Sequence, residues 1–350
     1  MKVAVTGHHG FIGSVLVPVL LEEGHEVVGM DSFFYQGCDL RPDAVEIKSV
    51  ALDVRDVSPQ DFEGVDAVVH LAALSNDPLG ALSPELTHEI NCEGTLRTAR
   101  SAREAGVERF IFSSSCSMYG ASSHGAVAED APLKPLTAYA ESKVRAEEGL
   151  RELAVDGFSP VLMRNATAYG VSPRLRLDLV VNNLAAWALT TGKVRILSDG
   201  TPWRPLVHIE DIARATARFL EAPAELVHGE AFNVGADGEN YQVRDLAELV
   251  ERAVDGCEIE YAGEGEPDDR SYRVDFGKLA RLFPDLELQW TVERGIEELV
   301  RAYRQTDLDL DTFLGDRYIR VKRLERLLEE GQLDDRLRRP ATDAGAHAVH

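Results

Sequence analysis

Cysteine is scarce in this sequence: Cys38, Cys92, Cys116 and Cys257 are its four, far apart, with no CxxC pair and no neighbouring histidine. That spacing offers neither a disulfide framework nor a zinc site, so no metal is expected and a reducing cytoplasm suits the chain. Basic charge is also short, with 37 Lys and Arg against 60 Asp and Glu and a net charge of −23. Such a balance argues against a nucleic-acid binder or a protein of anionic membrane surfaces. A small anionic substrate stays open, because a few local arginines suffice. No apolar run reaches the length of a membrane span. Met1 leads straight into an apolar strand, so no signal peptide is expected. There is no internal repeat. The hydrophobic share of 44% is ordinary, and 350 residues can bury one large α/β domain or a domain plus a smaller lobe.

What is present begins at once. Lys2 to Thr6 is a short β-branched run suited to a buried parallel strand. Gly7, Gly10 and Gly13 follow at spacings of three, and a helical pattern starts at Phe11 and Ile12. A diphosphate needs close backbone approach and free N–H donors at a helix start, where the macrodipole also favours negative charge. Gly7 can turn tightly, Gly10 lets phosphates come close, and Gly13 lets helix pack on strand. A plain β-turn-α junction can carry the same glycines, but the strand–loop–helix setting favours a dinucleotide.

Downstream, the helix should stop at Gly24, with Pro18 as an irregularity, and a second strand should end at Asp31. A carboxylate there can accept both hydrogen bonds of an adenosine ribose diol and would repel a 2′-phosphate. Arg41 lies too far along the loop to offset it, which favours NAD over NADP; the alternative for Asp31 is a turn cap. Val45 to Leu52 is read as a third strand, and Asp53 and Val54 after it can meet the adenine edge. A fourth strand carries His70, a packed strand-end histidine, then Leu71, Ala72 and Ala73, small enough to admit a flat cofactor. Pro84 to Ala105 is helical, and its Asn91 has the plain reading of a surface amide. The fifth strand, Phe110 to Phe112, opens into the polar run Ser113 to Gly120, where an α/β sheet keeps its chemistry. A helix from about Thr137 to Ala154 places Tyr139 and Lys143 on one face. A phenol of pKa near ~10 is a poor base, but a neighbouring ammonium and a cationic nicotinamide would stabilise its phenolate. Taken alone, such a pair is a solvated helix face.

In order and spacing, Thr6-Gly7-x-x-Gly10-x-x-Gly13, Asp31, Asp53, His70-Leu71-Ala72-Ala73, the Ser113–Gly120 run and Tyr139-x-x-x-Lys143 resemble the extended short-chain dehydrogenase/reductase family. The likeness covers residues 1 to about 305 and is strongest to its nucleotide-sugar epimerases and dehydratases. It implies a Rossmann-type doubly wound parallel sheet carrying NAD, with a smaller C-terminal lobe holding the sugar nucleotide. Tyr139 is then the base, Lys143 the ligand of the nicotinamide ribose, and Ser115 the partner of the reacting hydroxyl. Ser113 would join the cofactor contacts, and Ser75, Cys116 and Ser117 the substrate contacts. Further on, Asn183 and Arg204 resemble the family's contacts to the substrate diphosphate, and Arg270 is a weaker candidate; arginine's planar fork suits that task. The plain alternatives are a helix cap for Asn183 and a structural ion pair for Arg204.

The expected division is residues 1–165 for NAD, 166–306 mainly for the nucleotide-sugar with some elements returning to the first domain, 307–338 as a helical extension and 339–350 as a disordered tail. Within the extension, Tyr318 to Glu330 should be a charged amphipathic helix. The implied activity is NAD-dependent epimerisation at C4 of a nucleotide-sugar, a UDP-sugar in the first instance, by a homodimer paired through an apolar stripe on helices 85–105 and 137–154. Cys116 and Ser117 stand where the family's 4,6-dehydratases carry Asp and Glu, which argues against removal of water. Thr167 replaces a more usual Asn, as in some uronic-acid epimerases. Arg176 in the loop beyond, with Arg174 near it, is either a ligand for a C6 carboxylate or a solvated charge. The rival functions are a keto-sugar reductase, a uronate decarboxylase and a non-catalytic dinucleotide sensor.

Overall fold

The computed structural model describes residues 1–40, 45–75, 83–263 and 270–340. Arg41, Asp268, Asp269 and the tail beyond residue 340 lie outside the described residues. Seven parallel strands form the main sheet: β1 (Lys2–Thr6), β2 (Glu26–Asp31), β3 (Ser49–Ala51), β4 (Ala67–His70), β5 (Arg109–Ser115), β6 (Ser159–Asn165) and β7 (Ala231–Val234). Their order across the sheet is β7-β6-β5-β4-β1-β2-β3. The chain runs out from β1 in both directions, so β1 and β4 flank the switch point where doubly wound sheets bind ligands.

Both faces of the sheet are apolar, as a parallel sheet covered by helices requires. Val3, Val5, Ile111, Val161 and Phe232 pack against helices Gly13–Glu22 and Ile209–Glu221. Ala4, Val68, Phe110 and Phe112 face helices Gly94–Glu104 and Ala138–Leu153. A second core gathers helices Val180–Thr191, Val243–Ala253 and Val292–Gln305 around Leu184, Leu246 and Leu299. Smaller sheets tie it to the first, including Trp203–His208, which pairs in parallel with Thr167–Tyr169.

Three expectations need correcting here. The third strand is only Ser49–Ala51: Val45 lies exposed before it, and Ile47 packs on the core without joining the ladder. The outer faces of helices Gly94–Glu104 and Ala138–Leu153 are charged rather than apolar, with Arg97, Arg100, Glu141, Arg145 and Glu148 exposed. Finally, Arg339, assigned to the tail, is docked: its Nη2 donates to the Phe33 carbonyl at 3.0 Å. Helix Arg320–Glu329 and the turn beyond bury Leu324, Leu327, Leu333 and Leu337 against Val54, Leu74 and Ile90.

Candidate active site

One cavity of about 850 Å³ runs from the C-terminal edge of the main sheet into the second core. At the sheet, its wall starts with the glycine loop. Gly7 has φ 73°, and a Cβ there would come within 2.8 Å of the Ala72 amide nitrogen. A Cβ on Gly13 would meet the Gly7 carbonyl at 2.4 Å. Both positions therefore exclude any side chain, and the loop and helix start at Gly10, Phe11 and Ile12 line the cavity. Such a cradle fits a dinucleotide diphosphate.

Asp31 follows on the same wall, its carboxylate accepting from the His9 amide at 3.0 Å and the Phe33 amide at 2.7 Å. The expectation that it has no basic neighbour fails: Arg174, from the loop after Thr167–Tyr169, folds back onto His9 and Asp39 beside it. Asp53 and Val54 also line the cavity, with Asp53 held by the Arg55 guanidinium at 2.6 and 2.9 Å. Leu71, Ala72 and Ala73 form the wall between. His70 is indeed packed, between the hydroxyls of Thr6 at 2.8 Å and Thr95 at 2.9 Å, and burial pushes its pKa down to about 3.

The catalytic end rests on the overhang of β5. Ser115 caps the short turn Cys116–Tyr119, accepting from the Ser117 amide at 3.1 Å and donating to the Ser117 hydroxyl at 2.9 Å. Thr137 caps helix Ala138–Leu153, and Tyr139 and Lys143 then face the cavity one turn apart. Lys143 is buried, its Nζ 5.8 Å from the Tyr139 ring centre and donating at 2.7 Å to the Ser113 carbonyl. Burial pulls its pKa down to about 7, against Glu147 one turn later, which raises it. The pair is thus no solvated helix face.

Two buried networks hold this geometry. Glu147 is forked by Arg164 at 2.7 and 3.0 Å and accepts from Ser114 at 2.7 Å, so helix Ala138–Leu153 is tied to β5 and β6. Breaking one partner of such a pair leaves a buried charge, a penalty of about 3–5 kcal/mol. Asn91, far from being a surface amide, is fully buried in a π-turn at 89–93. It grips both backbone groups of Leu74 at 2.8 and 3.0 Å and reaches Ser142 at 3.2 Å. No periodicity marks that role, since its partners are distant in sequence.

Cys116, expected among the substrate contacts, does not line the cavity. The turn that Ser115 caps rotates it inward, where its thiol donates to the Arg164 carbonyl at 3.1 Å and is absent from the cavity wall. Every other residue expected at the site lines the cavity. Thr167 borders the middle. Asn183 donates to the Leu177 carbonyl at 2.8 Å, and Arg204 to the carbonyls of Trp203 (2.8 Å) and Arg270, and both also line the cavity. Arg176 is buried rather than solvated, forked to Asp178 at 2.9 and 3.0 Å and bonded to Ser75 at 3.1 Å. Sequence reasoning missed Tyr35, Asp178, Arg195 and Arg320 on the wall. Arg320 hides among Arg317, Arg323 and Arg326, whose spacing of three gives no sign of which one turns inward.

Residues 3–235 match the family profile described as "NAD dependent epimerase/dehydratase family". The UDP-glucose 4-epimerase of Bacillus subtilis (strain 168) is 29% identical over 327 residues, covering 85% of this chain and 94% of that protein. The crystal structure of a UDP-glucuronic acid 4-epimerase from Bacillus cereus, in complex with UDP-glucuronic acid and NAD, superposes with a TM-score of 0.75 at 26% identity, over 87% of this chain and 99% of that one. The dTDP-glucose 4,6-dehydratase of Streptomyces venezuelae, with NAD bound, gives 0.74 at 28%, over 87% and 97%. No helix among the described residues is long and apolar enough to cross a membrane. With its glycine cradle, its Tyr139–Lys143 pair and its match over two thirds of the sequence, this chain belongs to the NAD-dependent epimerase/dehydratase family.

Proposed function

We propose that the protein interconverts UDP-sugars epimeric at C4, with a UDP-hexuronic acid as the preferred substrate and NAD as the resident cofactor. Bound at the glycine cradle, the dinucleotide supplies a hydride acceptor and donor that is regenerated in each turnover. The chain's own residues handle the proton. Tyr139, its phenolate favoured by the Lys143 ammonium, takes the proton from the C4 hydroxyl, which Ser115 orients. Asn183, Arg204 and Arg270 hold the substrate diphosphate while the 4-keto sugar turns and presents its other face. Tyr139 then returns the proton.

The observation that carries this reading is the convergence of Ser115, Tyr139 and Lys143 with the glycine cradle on one cavity. Dehydration lacks support: the two positions after Ser115 hold a thiol turned into the core and the hydroxyl of Ser117, neither of which is an acid at neutral pH. Incubation with UDP-glucuronate should yield its C4 epimer with no net NADH. Stoichiometric consumption of NADH would favour a keto-sugar reductase instead, and release of CO2 a decarboxylase.

The same reading extends to a cytoplasmic homodimer, joined through the mixed charges on helices Gly94–Glu104 and Ala138–Leu153 rather than through apolar area. Light scattering at micromolar concentration should give a dimer mass at low salt that falls toward the monomer as salt screens those pairs. A monomer at low salt would refute it.

A further inference from the structure

Arg320 opens helix Arg320–Glu329 in the C-terminal extension, yet its side chain is among the most buried in the protein, with 2% exposure, and lies on the cavity wall. One end of its guanidinium is accounted for: Nη2 donates to the Arg174 carbonyl at 3.0 Å, and the planar group stacks 3.9 Å from the ring centre of Tyr35. The other end is not. Nη1 is buried without a hydrogen-bond partner, and no carboxylate among the described residues forms an ion pair with Arg320. The neighbouring acids are already engaged, Asp178 by the fork of Arg176 and Asp39 by Arg174. A buried cation without a hydrogen-bonded partner is costly, and here burial also drags its pKa below the usual arginine value, with Tyr35 and Asp178 opposing the fall and Arg176 adding to it.

We propose that Arg320 binds the diphosphate of the cofactor, so that the C-terminal extension joins the glycine cradle in holding the dinucleotide. Position favours this anion. Arg320 sits among elements of the cofactor half: Tyr35 follows Asp31, and Arg174, whose carbonyl it holds, reaches His9 inside the glycine loop. The rest of the extension covers the adenine end, through Leu324, Leu327, Leu333 and Leu337 and through carbonyls of residues 336 and 337 that accept from Arg55. A planar guanidinium with a spare edge suits a phosphate oxygen. The alternative source of the same charge is an acidic group on the substrate, since Arg176 lies close by.

The inference rests on the glycine loop being the dinucleotide site, and the experiment separates the two. NAD is titrated calorimetrically into full-length wild type, Arg320→Gln and Arg320→Lys; UDP-glucose and UDP-glucuronate are then titrated into the NAD-saturated proteins. In Arg320→Gln, NAD should bind roughly tenfold or more weakly, the loss of one charge-assisted contact, while both sugars bind as before. Lysine should restore part of the affinity. Without ligand, Arg320→Gln should melt no lower than wild type, since it removes an unpaired buried charge, whereas the rise in melting temperature produced by NAD should shrink. Unchanged NAD affinity would overturn the inference, as would a loss confined to UDP-glucuronate, which would assign Arg320 to the substrate. Collapse of the fold in both variants would overturn it too, by giving Arg320 a structural role. Failure of wild type to bind NAD would instead sink the cradle assignment itself.

Discussion

Replacing Tyr139 with phenylalanine should lower epimerase turnover by roughly a hundredfold or more, with NAD binding nearly unchanged. The ring stays, so its packing against the cavity wall and the nearby Lys143 ammonium survive; only the oxygen that accepts the C4 proton is lost. A residue that merely lined the wall would leave turnover intact. The companion change, Lys143→Met, should also depress turnover and shift its rise with pH to higher pH. The sign follows from charge: a buried ammonium beside a phenol favours the phenolate, and removing it makes the base harder to form. Burial holds Lys143 itself down to a pKa of about 7, so the ammonium that favours the phenolate is lost as pH rises through that value. Wild-type turnover in Tyr139→Phe would end the proton-transfer assignment.

How much of this was legible beforehand follows from the range over which each signal acts. The glycine cradle, Asp31 and the Tyr139–Lys143 face are local: strand, loop and helix are adjacent in sequence, and their residue types answer to backbone geometry. Cys116 shows where a local reading stops. It stands beside a serine on the cavity wall, but the one-turn helix that Ser115 caps sends neighbouring side chains in opposite directions, and the thiol enters the core. Asn91, Arg174 and Arg320 lie further out of reach. Each acts on a segment distant in sequence, Arg320 on a loop nearly three hundred residues earlier, and a helix rich in arginine does not announce which one is buried. The expected apolar stripe failed for a related reason, since the motifs that carry the likeness lie around the cavity and say nothing of the outer helix faces.

The choice of sugar turns on Arg176, and its variant should discriminate between an acid and a neutral hexose. Arg176→Gln should reduce kcat/KM for UDP-glucuronate by about 1.5–3 kcal/mol, roughly 10- to 150-fold, and leave UDP-glucose almost untouched. The physical ground is desolvation: a C6 carboxylate entering a closed cavity needs donors or a positive partner, and a guanidinium offers five N–H groups. Asp178 and Ser75 engage only part of that fork, so donors remain for a second carboxylate. Asp178 complicates the single variant, because losing Arg176 leaves a buried carboxylate that would repel the acid on its own account. The double change Arg176→Gln with Asp178→Asn removes both charges together. If Arg176 contacts the substrate, the acid-specific loss persists in the double variant. If it serves only to neutralise Asp178, the double variant recovers the wild-type preference. Equal losses for both sugars, or a wild-type preference for UDP-glucose, would leave the protein a UDP-sugar 4-epimerase whose pocket makes no use of charge at C6.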